Sequence, residues 1–188
     1  MPGRILMPLG DATEALDTFY PFFRLQEAGF TVDIAGPQAR LYHTVLHEIP
    51  PDSAIPWDIT QERPGYFIEP TVAFCDADPN QYDGMFISGG RAPEYLRYEA
   101  ALLSLTQSIV NAGKPVACVC HGIEILTAAN CISGRTVTTV AKCALDAVQG
   151  GADYVDESVV RDGNIVTART WHDNAGLMRT FLEMLDES

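Results

Sequence analysis

Hydrophobic and polar positions along the chain switch repeatedly between two periods. Short apolar runs at residues 5–9, 31–35, 82–88 and 116–120 each end in a glycine or polar break, the pattern of buried strands. Between them the spacing turns helical. Leu16, Phe19, Tyr20, Phe23 and Leu25 form an apolar stripe over residues 13–28 that Gly29 stops. Pro21 falls inside that stripe, so the helix either kinks there or begins later. Residues 99–112 read as an amphipathic helix ended by Gly113, and Ile123, Leu126, Thr127 and Asn130 begin another. A strand at 136–140, a short helix at 143–148 and a closing helix at 173–185 follow. Segments 155–160 and 164–168 flank Asp162-Gly163 as a hairpin.

Strands alternating with helices over short links require right-handed crossovers and parallel neighbours. The predicted fold is therefore α/β, a mostly parallel central sheet with helices on both faces. Residues 36–70 break the rhythm with Pro37, Pro50, Pro51, Pro56, Pro64 and Pro70. They predict an irregular insertion holding one or two short strands within a single domain spanning 1–188.

Composition narrows the function without naming it. At 188 residues the chain can bury one sizeable core. A formal net charge of −13, with no basic cluster, argues against nucleic acid as a partner. No apolar run approaches a membrane span, and the N-terminal one is too short for a signal peptide. Cys75, Cys118, Cys120, Cys131 and Cys143 are odd in number and form no C-x-x-C pair. That usage predicts free thiols and a cytoplasmic protein.

The chemistry concentrates at residues 114–126. An apolar strand there becomes a helix within about two residues, at Cys120-His121, with no loop between. Gly122 follows the apex and Cys118 precedes it, so the stretch mimics a G-x-S-x-G nucleophile elbow with cysteine for serine. Such a turn lifts one side chain off the sheet and points it at a helix N-terminus, where N–H groups favour a thiolate. Against this, free cysteines are commonly no more than buried apolar residues.

In parallel sheets, ligands bind beyond the carboxyl ends of the strands. The first strand delivers Glu14 there, and the 82–88 strand delivers Gly89-Gly90. Glu14 either serves the thiol as a general acid or base, or only complements a helix dipole. Gly89, Gly90 and the His121 N–H offer oxyanion donors, and His121 is a proton acceptor beside the thiol. Trp171-His172 either lines the same pocket or caps the last helix. His43 and His47 have the i, i+4 spacing of a helical zinc pair, but H-T-V-L-H lacks the glutamate of H-E-x-x-H and its surroundings disfavour a helix. No metal or cofactor is expected, and no dinucleotide fingerprint or P-loop is present.

Gly89-Gly90-Arg91-Ala92-Pro93-Glu94, followed by Ala117-Cys118-Val119-Cys120-His121-Gly122, resembles the ThiJ/PfpI superfamily over nearly the whole chain. Tyr20-Pro21, Gly113-Lys114-Pro115-Val116 and Asp162-Gly163-Asn164 fit it too. Gln61-Glu62-Arg63-Pro64-Gly65-Tyr66-Phe67 looks like the insertion of plant-type members with glyoxalase activity. The resemblance implies a flavodoxin-like three-layer sandwich, with Cys120 at the elbow and Glu14 as the buried acid hydrogen-bonded to its thiol. It implies that His121 is completed by Glu94 of a neighbouring subunit in the intracellular protease branch, and that the protein self-associates. The activities it brings are glutathione-independent glyoxalase, deglycase, peptidase and stress chaperone. A small reactive carbonyl such as methylglyoxal is the expected substrate. The sequence departs from the family at Val140-Ala141, where Tyr-Pro is common, at Ser88, where Pro is common, and around Trp171-His172-Asp173.

Overall fold

A computed structural model describes residues 3–48 and 61–188. In chain order the elements are β1 (Arg4–Pro8), β2 (Thr13–Glu14), α1 (Ala15–Glu27), β3 (Thr31–Gly36), β4 (Tyr42–Glu48), β5 (Gln61–Ile68), β6 (Val72–Ala73) and β7 (Gly84–Ile87). Then follow α2 (Ala92–Leu96), α3 (Ala100–Asn111), β8 (Val116–Val119), α4 (Ile123–Ala128), β9 (Thr136–Val137), α5 (Ala144–Gln149), β10 (Asp153–Tyr154), β11 (Val159–Asp162), β12 (Ile165–Ala168) and α6 (Asn174–Glu187).

The main sheet runs β11-β12-β8-β7-β1-β3-β6. All its pairings are parallel except the β11–β12 hairpin. Its central strands are buried on both faces, so Ile5, Leu6, Met85, Phe86, Val116 and Val119 are all shielded from water, as expected of a doubly covered parallel sheet. One apolar cluster holds Leu102, Ile109 and Leu126 beneath one face; a second holds Leu25, Leu177 and Phe181 beneath the other. The register sets Ile87 beside Cys118, and Leu6 beside Met85. The strand ends at Pro8, Ile87 and Val119 thus open on one edge, where a ligand site belongs.

Three expectations change. The insertion is more regular than its prolines suggested: β4 and β5 pair antiparallel, and β2 pairs with β4, making a three-stranded subsheet. Pro64 lies in β5, while Pro50, Pro51 and Pro56 lie outside the described residues. The strand expected at 136–140 shrinks to β9, which pairs with β10 away from the main sheet. The first helix begins at Ala15, with Pro21 inside it.

Pro21 leaves the Asp17 carbonyl without its helical N–H partner. The Ser88 hydroxyl, at the end of β7, donates to that carbonyl instead, at 3.1 Å. The proline therefore fastens the first turn of α1 to the strand edge. Ser88→Ala is expected to destabilise the chain by about 1–2 kcal/mol, the cost of an orphaned buried acceptor, measured as a lowered urea midpoint at constant m-value.

Candidate active site

Cys120 sits where β8 ends and a single 3-10 turn, Cys120–Gly122, feeds α4. Its backbone takes φ = 56°, a conformation that costs a non-glycine residue energy. Close packing holds it there. A Cβ on Gly122 would lie 3.0 Å from Cys118 Sγ and from the Ile87 carbonyl oxygen, so position 122 leaves little room for a side chain. The Thr139 hydroxyl donates to the Cys120 carbonyl at 2.7 Å, tying the 138–143 loop to the elbow.

The thiol is nearly enclosed, 6% exposed, and its Sγ lies 3.3 Å from His121 Nδ1. The neighbours in sequence are thus also neighbours in space. The expected lowering of the thiol pKa is reversed. Burial pushes it up and the nearby carboxylate of Asp17 pushes it further, while the N–H groups of His121 and Gly90 pull it down. Both donors thus lie close to the sulfur. Burial also lowers His121 to about 4, aided by the positive charge of Lys142. The resting pair is a neutral thiol beside a neutral imidazole.

Glu14 is 1% exposed and ends β2 as the N-cap of α1, where its Oε2 accepts the Asp17 N–H at 2.7 Å. The cap accounts for Oε2, and Oε1 has no hydrogen-bond partner among the described residues, so the hydrogen bond to the Cys120 thiol that the resemblance implies is not formed here; the thiol meets His121 instead. Burial raises its pKa despite backbone donors that include Asp17 and His47. The second acid, Asp17, was not singled out from the sequence. It is fully buried, its Oδ1 accepts the Asn174 amide at 3.1 Å, and burial plus the charge of Glu14 drive its pKa well up. A methyl group on Gly89 would touch Asp17 Oδ2 at 2.7 Å and Cys120 Sγ at 3.2 Å. Asp17 and the thiol thus flank one small gap. An acid inside the apolar stripe of α1, three residues after Glu14, was the available signal.

Gly89 and Gly90 form the floor. The Gly89 carbonyl accepts the Glu14 N–H at 3.1 Å, and Gly90 bridges to Thr13. Arg91 then clasps Glu62 of β5 through Nε and Nη2 at 2.6 and 2.9 Å. That clasp joins the insertion to the glycine turn. His47 and His43 lie on strand β4, not on a helix; His43 pairs with Asp11, and His47 lies 3.6 Å from Glu62. The His47 ring stacks on Trp171 at 6.4 Å, and Trp171 opens the turn before α6. His172 is exposed and engages Thr170. Glu94 is exposed on the first turn of α2.

These features define a flavodoxin-like α/β protein whose elbow carries a buried cysteine with an imidazole and two acids. The family model described as the DJ-1/PfpI family matches residues 3–184, and the chain belongs to that family. A deglycase of Thermococcus kodakarensis is 32% identical over 97% of this chain and 99% of its own length. Protein DJ-1 homolog D of Arabidopsis thaliana is 34% identical over 89% of this chain, which spans 44% of that longer protein. The crystal structure of a ThiJ/PfpI domain protein from Brachyspira murdochii covers all of this chain and 98% of its own, with a TM-score of 0.85 at 18% identity, a likeness of fold. All five cysteines are free. Among the described residues no helix is long and apolar enough to cross a membrane.

Proposed function

We propose that the chain is a cysteine-dependent enzyme for small reactive carbonyls, of the glutathione-independent glyoxalase or deglycase type, working in the cytoplasm as a homo-oligomer. The observation that carries the reading is the enclosed Cys120 with His121 Nδ1 at 3.3 Å, beside two buried carboxyl groups with raised pKa values. The deglycase name of the Thermococcus relative agrees with it.

Cys120 Sγ adds to the aldehyde carbon of methylglyoxal as its proton passes to His121; on the carbinolamine that methylglyoxal forms with a protein amine, the same C–S bond forms as the C–N bond breaks and the amine leaves with that proton. The carbonyl oxygen becomes an oxyanion held by the N–H groups of Gly90 and His121. A neutral thiol–imidazole pair suits this order, because charge separates only once substrate supplies an oxygen to receive it. Glu14 or Asp17 then moves a proton from the first carbon to the second, a task for a carboxyl group whose pKa burial has raised. Hydrolysis of the thioester releases lactate and restores the thiol, with no net redox change. The enclosed, unionised thiol favours this reading over a redox sensor, which needs an exposed thiolate.

The test is lactate formation from methylglyoxal without glutathione, run beside release of free amine from a methylglyoxal-treated peptide. Lactate in either assay supports the class, and the faster substrate names the branch. Lactate in neither, with peptide-bond cleavage instead, transfers the site to a peptidase in which Glu94 of a partner subunit completes the triad.

A further inference from the structure

Beside the elbow a second group of side chains converges that the proposed reaction leaves largely unused. His121 and Glu124 share one face because the 3-10 turn runs straight into α4, bringing residues three apart into register. Cys143 comes from the turn before α5, on the loop that Thr139 ties to the Cys120 carbonyl. One nitrogen, one carboxylate oxygen and one sulfur from these three residues all lie within 4.8 Å of one another.

Three features of this group point to a ligand. The donor set mixes nitrogen, oxygen and sulfur, the combination that zinc-type cations take in three-ligand sites with a fourth position open. The Cys143 thiol donates to Glu124 Oε1 at 3.7 Å, so a cation replacing that proton finds sulfur and oxygen already near the ~3.5 Å they keep on a tetrahedral zinc. Glu124 is 7% exposed, and its Oε2 is buried with no hydrogen-bond partner among the described residues. Arg97 Nη1 approaches that oxygen only at 3.4 Å and also reaches Asp146 at 3.2 Å. That ion pair offsets part of the cost of burying the oxygen and leaves its hydrogen-bonding capacity unused.

We propose that His121, Glu124 and Cys143 form a binding site for a thiophilic divalent cation of the zinc type, and that its occupancy shuts down Cys120. Neutral imidazole, carboxylate and thiolate carry two negative charges, which the ion balances; Cys143 gives up its proton to solvent as it binds. The inhibition follows from the imidazole alone. An ion on Nδ1 blocks the nitrogen that faces Cys120. An ion on Nε2 fixes the proton on Nδ1, which can then donate to the sulfur but not accept from it. Either way His121 no longer takes the thiol proton.

Cobalt(II) tests the site on the intact chain without any assay of turnover, so its outcome is independent of the proposed activity. Wild type is expected to bind about one equivalent and to show a thiolate-to-cobalt charge-transfer band in the near ultraviolet. Cys120→Ser should keep the band and Cys143→Ser should lose it. Glu124→Gln should weaken zinc by at least about a hundredfold, and it serves as a second variant if Cys143→Ser folds poorly by circular dichroism. With methylglyoxal as substrate, zinc should inhibit wild type reversibly by chelator, and spare Cys143→Ser at the same concentration. Failure of wild type to bind cobalt, or a band lost in Cys120→Ser and kept in Cys143→Ser, overturns the proposal.

Discussion

Cys120→Ala is expected to lower kcat/KM for methylglyoxal by at least about a thousandfold, since no other group at the elbow can form the covalent bond. The fold should survive. The side chain lost is small, and the strained φ of 56° falls equally on alanine. Cys118, the nearest alternative thiol in sequence, is buried in β8 within the apolar cluster that holds Leu102, Ile109 and Leu126, apart from the cluster that holds Cys120, so it cannot deputise. Steady-state kinetics with circular dichroism on the same sample checks this. A rate within a few-fold of wild type, on folded protein, removes the cysteine from the mechanism.

Gly90→Ala is expected to cost the fold about 3–5 kcal/mol and to lower Tm by roughly 10 °C. Two independent penalties coincide. The residue sits at φ = 84°, and its new Cβ would lie within van der Waals exclusion of the Glu14 backbone nitrogen, and 2.5 Å from the Ala12 carbonyl oxygen. Both neighbours are main chain, so no side-chain rotation relieves the clash. The β2 segment would have to move, carrying the Glu14 cap away from the elbow and the Gly90 N–H away from the sulfur. Activity should therefore fall by more than the loss of folded protein explains. Calorimetry paired with activity per folded molecule separates the two effects.

Much of this arrangement is written in local pattern. The apolar runs placed the central strands, and the abrupt strand-to-helix change at Cys120 located the elbow because no loop residues intervene there. Glu14 and Gly90 followed from the rule that strand ends converge. What the pattern concealed depends on contacts between distant residues. Asp17 looks like a solvent-facing acid until Asn174 and Ser88 are brought to it from later elements. The thiol pKa was read from the helix alone, and the elbow's burial beside two acids outweighed it. The insertion looked irregular because proline counts against strands, although Pro64 is tolerated in β5, on the outer strand of its subsheet. The spacing of His43 and His47 suggested a helical pair, whereas His47 comes near Glu14 because β4 pairs with β2.

The Asn174–Asp17 hydrogen bond spans 157 positions of the chain, and that separation has a consequence for the newly made protein. A growing chain exposes Cys120 long before α6 exists to dock on α1. Until it does, the thiol lacks the enclosure and the paired acids that define its behaviour, and acts as an ordinary cysteine. Helix α6, made after α1 and the elbow, thus supplies the amide that completes the buried surroundings of Asp17.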